Sequence, residues 1–282
     1  MVAVTYAGFG WMPWRTALVV AAVLLVLMGL FSLSQRTRPS VRILGEVAVI
    51  LGLYAAWQYV GAMSRSGLDQ AAQAGLWLAD IERFLGWPTE ASLQQPILGN
   101  DGLVAAADTY YASLHAPVFI VTLIWVLALH RRDWPFTRTV AILVTGACLL
   151  VQFKPVAPPR LLPSLGIIDT ALENGRSVYA AVPGANQLSA MPSVHIAWAG
   201  AVALFVIVSA RSSWRWLALA YPGITLWVVV VTGNHFIVDG LVALILLAVA
   251  VAVTVSIPSQ RPERFVRLLA RQNAGSAVPE AS

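Results

Sequence analysis

Residues 153–195 read FKPVAPPRLLPSLGIIDTALENGRSVYAAVPGANQLSAMPSVH, a polar interruption between two strongly apolar segments. The stretch holds the protein's only lysine, Lys154, with Arg160 six positions on. It closes on Pro192-Ser193-Val194-His195, where the next apolar segment begins. A second, shorter interruption, Thr232-Gly233-Asn234-His235, supplies another histidine, and Asp239 follows four residues later. The expectation is that these two interruptions meet at one membrane surface and build one site.

Composition supports the membrane setting. The chain of 282 residues is 59% hydrophobic and 11% charged, with a mean hydropathy of +0.75. Soluble domains carry about 25% charged residues, and this chain has more apolar surface than a water-soluble core can hide. The formal charge of +5 is spread over arginines between apolar segments, so it gives no footprint for nucleic acid. A single cysteine, Cys148, lies inside an apolar run, reads as a buried small residue, and rules out an internal disulfide.

Working outward, the apolar pattern predicts an all-α polytopic bundle of about seven spans: 14–34, 41–62, 104–130, 136–152, 194–210, 214–232 and 235–256. The first is too long for a signal peptide and has no small-residue cleavage site after it. The second contains Glu46, and the third is entered through Tyr110 and Tyr111, which suit an interface. Residues 66–86 differ. Asp69, Gln73, Asp80 and Arg83 share one helical face, and Ala71, Gly75, Leu78 and Leu85 the other. This predicts a short interfacial helix ended by Gly86-Trp87-Pro88, with Glu82 out of place on the apolar face and Leu76 and Trp77 on the polar one. The expected organisation is one membrane catalytic domain over 1–257, with its core at about 41–257 and 14–34 as an added span. A basic, partly disordered tail follows over 258–282. No internal repeat is visible.

Charge orients the bundle. With seven spans, one side collects Arg36, Arg38, Arg42, Arg131, Arg132, Arg138, Arg211, Arg215 and the tail arginines 261, 264, 267 and 271, twelve in all. The other collects Arg15, Arg65, Arg83, Lys154, Arg160 and Arg176, six in all. The positive-inside rule places the tail in the cytoplasm and both interruptions outside, in what is expected to be the plasma membrane.

The residue types suit phosphate chemistry. A phosphoester needs its oxygens neutralised, a nucleophile in line and an acid for the leaving oxygen. Arg160 offers a planar fork of donors and Lys154 a point charge. Ser193 and the first backbone N–H groups of the helix that follows add neutral donors where the helix dipole favours an anion. His195 lies in that first turn. His235 opens the last span with Asp239 one turn on, placed to hold one imidazole nitrogen and raise the basicity of the other. Arg176 and Asn234 are possible further phosphate contacts. Two histidines and a carboxylate can also bind a metal, but Lys154 and Arg160 nearby disfavour a cation, so no metal and no cofactor is expected. His115 and His130 read as tolerated polar residues, and Asp108, Asp169 and Glu173 as loop or interface charges.

Three blocks, Lys154-Pro-Val-Ala-Pro-Pro-Arg160, Met191-Pro-Ser-Val-His195 and Thr232-Gly-Asn-His235-Phe-Ile-Val-Asp239, resemble the motifs of the type 2 phosphatidic acid phosphatase superfamily, closest to its inositol phosphorylceramide synthase-like branch. The resemblance runs from about Tyr110, through Tyr111 and His115, to the last span, and Leu68 to Glu90 looks like bacterial members of that branch. It implies a six-helix core and a site at the outer surface. By carry-over, His235 is the nucleophile, Asp239 orients it, His195 protonates the leaving group and activates the acceptor, and Lys154, Arg160 and Ser193 hold the phosphate. The chain departs from the phosphatase pattern in three places. Five residues separate Lys154 from Arg160 where that branch has six, Val194 stands for a glycine, and Val229 for an arginine. The transferase branch also lacks that arginine, so the resemblance favours transfer of an inositol-phosphate-type head group from a lipid phosphoester to a hydroxyl acceptor or water. A lipid or polyprenyl phosphate phosphatase is the alternative enzyme. A lipid transporter without covalent chemistry is the alternative of another class, though paired broken helices in two repeats would be expected of it.

Overall fold

The computed structural model describes residues 14–32, 38–63, 67–181 and 186–264. Its regular elements are helices: α1 (Trp14–Ser32), α2 (Arg38–Met63), α3 (Leu68–Phe84), α4 (Glu90–Leu98), α5 (Asp101–Ser113), α6 (His115–Leu129), α7 (Trp134–Val151), α8 (Thr170–Glu173), α9 (Val178–Ala181), α10 (Val194–Ser209), α11 (Ala220–Val231) and α12 (Ile237–Ser256). No strand forms among the described residues, where a single parallel bridge joins Val156 to Ser189. The tail is described as far as Arg264, so the disorder expected of its end lies outside the described residues.

Three stretches among the described residues are long and apolar enough to cross a membrane: α7, Ser213–Val231 and α12. The expected span 104–130 is not one straight helix. It breaks at Leu114 into α5 and α6, which meet at 51° and count as a fourth span only if taken together. Pro117 gives the reason: three residues into α6, it has no N–H for the carbonyl of Ser113, and its ring crowds that carbonyl. The expected spans 14–34 and 194–210 correspond to shorter apolar helices, Arg15–Leu30 and Val194–Ser209, with residues 33–34 outside the described residues, and 41–62 falls within α2. The described residues are those of an all-helical membrane protein, with three helices of spanning length by this measure, or four if the bent pair is one span.

At the centre, α10 packs against α6, α7, α11 and α12. Its small residues allow this. Ala197, Ala199, Ala201 and Ala203 are buried, and a Cβ added at Gly200 would come 2.9 Å from Leu247 Cδ2 on α12. Phe136, Val140 and Val144 of α7, Phe205 of α10, and Val228 and Val229 of α11 fill the same core, with Cys148 fully buried among them. Many large apolar side chains on the outer faces, such as Ile124, Leu150 and Ile245, stay exposed, as lipid-facing positions do. Glu46 of α2 is paired with Arg138 of α7 at 2.7 Å, which gives the charge in the second apolar stretch a partner.

α3 takes the predicted faces. Ala71, Gly75 and Leu78 are buried, and Asp69, Gln73, Asp80 and Arg83 are exposed. Leu85, expected on the apolar face, lies just beyond the helix and is half exposed. Gly86 ends the helix at φ +69°, and the N–H of Trp87 reaches back to the Glu82 carbonyl at 3.0 Å. Gly75 lets the 153–165 loop lie directly on α3. A Cβ there would be 2.6 Å from the Ala157 carbonyl oxygen, and Ala157 N–H donates to the Ala71 carbonyl at 3.0 Å. α4, which the apolar pattern does not signal, ties in through Gln94. Its amide donates to the carbonyls of Ile168 and Val231 and accepts from the N–H of Ile168.

Candidate active site

The two interruptions touch each other directly. Arg160 N–H donates to the Gly233 carbonyl at 2.9 Å, and His235 Nδ1 lies 2.6 Å from the Ala190 carbonyl oxygen. The long interruption is folded back on itself to make this possible. Val156 N–H donates to Leu188 and Ala190 N–H donates to Val156, which sets residues 156 and 188–190 side by side. Gly233 makes the turn between α11 and α12 at φ +66°, a conformation that costs a residue with a Cβ about 1–2 kcal/mol. A Cβ there would also stand 2.5 Å from Ile167 Cγ2 and 3.1 Å from Arg160 Cβ. Gly233→Ala should therefore destabilise the folded protein by about 1–3 kcal/mol and weaken activity, because Arg160 is displaced along with the turn. Thermal unfolding in detergent, read beside turnover, checks this; an unchanged midpoint with full activity would contradict it.

The histidine pair is the best-defined feature. His195 Nδ1 lies 3.1 Å from His235 Nε2. A backbone carbonyl can only accept, so the bond to Ala190 puts the His235 proton on Nδ1. Nε2 of the neutral ring is then the lone-pair nitrogen, and His195 Nδ1–H donates to it. Asp239 Oδ2 stands 3.4 Å from the same Nδ1, farther than the Ala190 oxygen, and accepts from Phe236 N–H at 2.8 Å. Its Oδ1 has no hydrogen-bond partner among the described residues. Carbonyl and carboxylate thus share the orientation of His235, with the carbonyl nearer.

Arg160 is buried and held on several sides. Nε donates to Asn234 Oδ1 at 2.9 Å, and Nη1 donates to Asp169 Oδ2 at 3.0 Å and Gln187 Oε1 at 3.2 Å. Its guanidinium carbon sits 4.4 Å from the centre of the Tyr179 ring. Nη2 has no partner among the described residues, which leaves one fixed donor for an anion's oxygen. Tyr111 links this cation to the histidines. Its hydroxyl is 2.8 Å from that of Tyr179, and its ring is 4.7 Å from the His195 ring. A small cleft opens where Arg160, Tyr111, Tyr179 and Asn234 meet, and Arg176 lines it too.

The other expected residues are placed differently. Ser193 is fully buried and caps α10, its Oγ accepting from Ile196 N–H at 3.4 Å while its own N–H donates to the Asp239 carbonyl. Lys154 is exposed; its backbone N–H donates to the Val151 carbonyl at 3.1 Å, and its ammonium group makes no hydrogen bond or ion pair among the described residues. Arg176 faces Asp108 at 3.7 Å, not Arg160. Asn234 is a clamp on Arg160, and its amide nitrogen is satisfied by Thr232.

Two residues take places that their readings from sequence did not give them. Asp169, read as a loop charge, is an ion-pair partner of Arg160. His115, read as a tolerated polar residue, is buried with its ring 4.3 Å from that of His195, and neither nitrogen has a partner among the described residues. Nothing in the neighbourhood of Asp169 signals its role; for His115 the one signal was the family resemblance, which runs through it. Among the described residues no group of three or more His, Cys, Asp or Glu side chains is set to hold a metal ion.

Comparison with known proteins agrees with the site. The family model described as the PAP2 superfamily matches residues 76–253, which takes in all three motif blocks and the histidine pair. No curated protein and no solved structure matches the chain. The match covers well over half of the sequence, and it sets aside the non-enzymatic transporter: the chain belongs to the PAP2 superfamily and is a membrane phosphatase or phosphotransferase.

Proposed function

We propose that the enzyme transfers a head-group phosphate from a lipid-linked phosphoester through a phosphohistidine, with an inositol-phosphate-type head group as the preferred cargo and a hydroxyl compound as acceptor. The observation that carries this reading is the 3.1 Å contact between His195 Nδ1 and His235 Nε2, with the opposite nitrogen of His235 already engaged. In the first step Nε2 of His235 attacks phosphorus. The bond from phosphorus to the lipid oxygen breaks, and His195 gives that oxygen a proton. In the second step His195 takes the proton of the acceptor hydroxyl, the oxygen attacks phosphorus, and the P–N bond breaks. Arg160 Nη2 and the amides at the start of α10 neutralise the phosphoryl oxygens in both steps. Lys154 joins them by moving inward from its exposed position when the anion arrives. The basic residues of the seven-span reading put this site on the extracytoplasmic side and the C-terminus in the cytoplasm.

Purified protein in bilayers, given head-group-labelled phosphatidylinositol or a polyprenyl phosphate with and without an added alcohol, tests the reading. Label should pass to the alcohol in preference to water, and turnover should persist in excess EDTA. Label passing only to water makes the enzyme a phosphatase. Loss of turnover in EDTA, restored by one divalent metal, would end the metal-free mechanism.

A further inference from the structure

Glu82 breaks the apolar face of α3, and the catalytic reading gives it no task. It is 3% exposed, beside Glu90 at 4%. Its Oε1 accepts from Val238 N–H at 2.6 Å. That amide is in the first turn of α12, where backbone donors have no partner within the helix. An N-cap side chain ordinarily supplies the acceptor. Here the N-cap residue is Phe236, which has no oxygen to offer. Asp239 takes the Phe236 amide, and Glu82 reaches across from another helix to take the Val238 amide, one residue from Asp239.

The second oxygen of Glu82 has a different neighbour. Glu82 Oε2 and Glu90 Oε1 are both buried, and neither has a donor partner among the described residues. The two carboxyl groups lie within hydrogen-bonding reach of each other, and one shared proton satisfies both orphan oxygens. Burial, followed by the bond to Glu90, pushes the Glu82 carboxyl up to about 9, so the proton stays at neutral pH. The charged groups facing Glu82 are Glu90, the first residue of α4, and Asp239 from α12; Arg83, the next residue on its own helix, lines the shared pocket but is exposed and paired with Asp80 at 2.7 Å, and the 163–165 turn contributes Ser164 and Leu165.

We propose that Glu82 is a positioning residue for catalysis: its carboxyl group caps α12 from outside and holds the first turn that carries Asp239 in register with His235. The inference rests on the reading of His235 and Asp239 as catalytic. Its consequence is that the interfacial helix α3 is part of the catalytic apparatus although none of its side chains meets substrate. Above pH about 9 the shared proton is lost. The Glu82 carboxylate then meets the acidic side chains of Glu90 and Asp239 around the α12 N-terminus, and the register loosens.

The test compares the parent enzyme with Glu82→Gln, Glu82→Ala and His235→Ala, using p-nitrophenyl phosphate across pH 6–10. Glutamine keeps an oxygen for Val238 N–H and an N–H for Glu90, so Glu82→Gln should retain kcat within about threefold at neutral pH. It should also move the alkaline fall in rate up by at least about one pH unit, because the titrating proton is gone. Glu82→Ala should lower kcat by about 10- to 100-fold with KM nearly unchanged, the size expected of a small displacement at the reacting centre. Should Glu82→Ala fail to fold, the pH profile of Glu82→Gln decides alone. An alkaline limb unmoved in Glu82→Gln, or full kcat in a folded Glu82→Ala, overturns the inference. If His235→Ala is as active as the parent, the functional reading itself falls; if His235→Ala is inactive and the Glu82 variants are normal, only this inference does.

Discussion

His235→Ala is expected to lower turnover by at least about 10⁴-fold, since loss of a covalent nucleophile removes the route itself rather than one contribution to it. The size follows from geometry. Nε2 is the one nitrogen of His235 with a lone pair to attack with, once substrate displaces the His195 hydrogen bond, because Nδ1 carries the proton bound to the Ala190 carbonyl and faces Asp239. No neighbour can replace it. His195 presents Nδ1 to His235 as a donor, and His115 packs its ring against that of His195, 4.3 Å between centroids, with no hydrogen bond to His235. The fold should survive the change at a moderate cost. Alanine leaves the Ala190 carbonyl without its donor, and an unsatisfied buried group costs about 1–3 kcal/mol. The variant should therefore fold and bind phosphoester while failing to turn it over. Single-turnover rates at saturating substrate, beside an unfolding curve for the same preparation, check both halves. A folded His235→Ala protein that keeps more than about one hundredth of parental turnover would contradict the assignment.

Part of this site was legible in the sequence because of where its residues fall. An ionisable residue at the end of an apolar span marks a functional site far more often than one in a polar loop. His195 and His235 both occupy such ends, and Asp239 follows His235 by one helical turn, so their meeting needed only that the two ends share a surface. Arg160 was legible as a cation but not as a clamped one. Of the partners that fix it, Asp169, Gln187 and the Tyr179 ring come from separate points of the long interruption and Asn234 from the short one, with no periodicity to read. Asn234, a candidate phosphate contact by position, spends its oxygen on Arg160 instead.

The fold was legible where the apolar period was unbroken, as in α7 and α12, and less so where one residue decided the outcome. Pro117 divides what reads as a continuous apolar run, and the resulting bend at Leu114 lets α6 begin with His115 against His195. Glu82 looked like a flaw in an amphipathic helix because helical periodicity records only which face a residue is on. It does not record that a backbone amide 156 positions away in sequence waits on that face for an acceptor. Gly75 likewise carries no signal on its own; the need for it appears only once Ala157 lies against it.

The most direct test of the account is to look for the covalent intermediate in His195→Ala. This variant keeps His235 and its orienting groups but lacks the proton donor of the first step and the base of the second. General acid–base help is worth about 10²- to 10⁴-fold. A good leaving group such as p-nitrophenol needs little of that help in the first step, whereas release of the phosphoryl group by water or alcohol still lacks its base. With ³²P-labelled p-nitrophenyl phosphate, His195→Ala should accumulate an acid-labile, base-stable adduct that maps to His235, and the double variant with His235→Ala should give none. An adduct that persists without His235, or one mapped to His195 in the parent enzyme, would contradict the account.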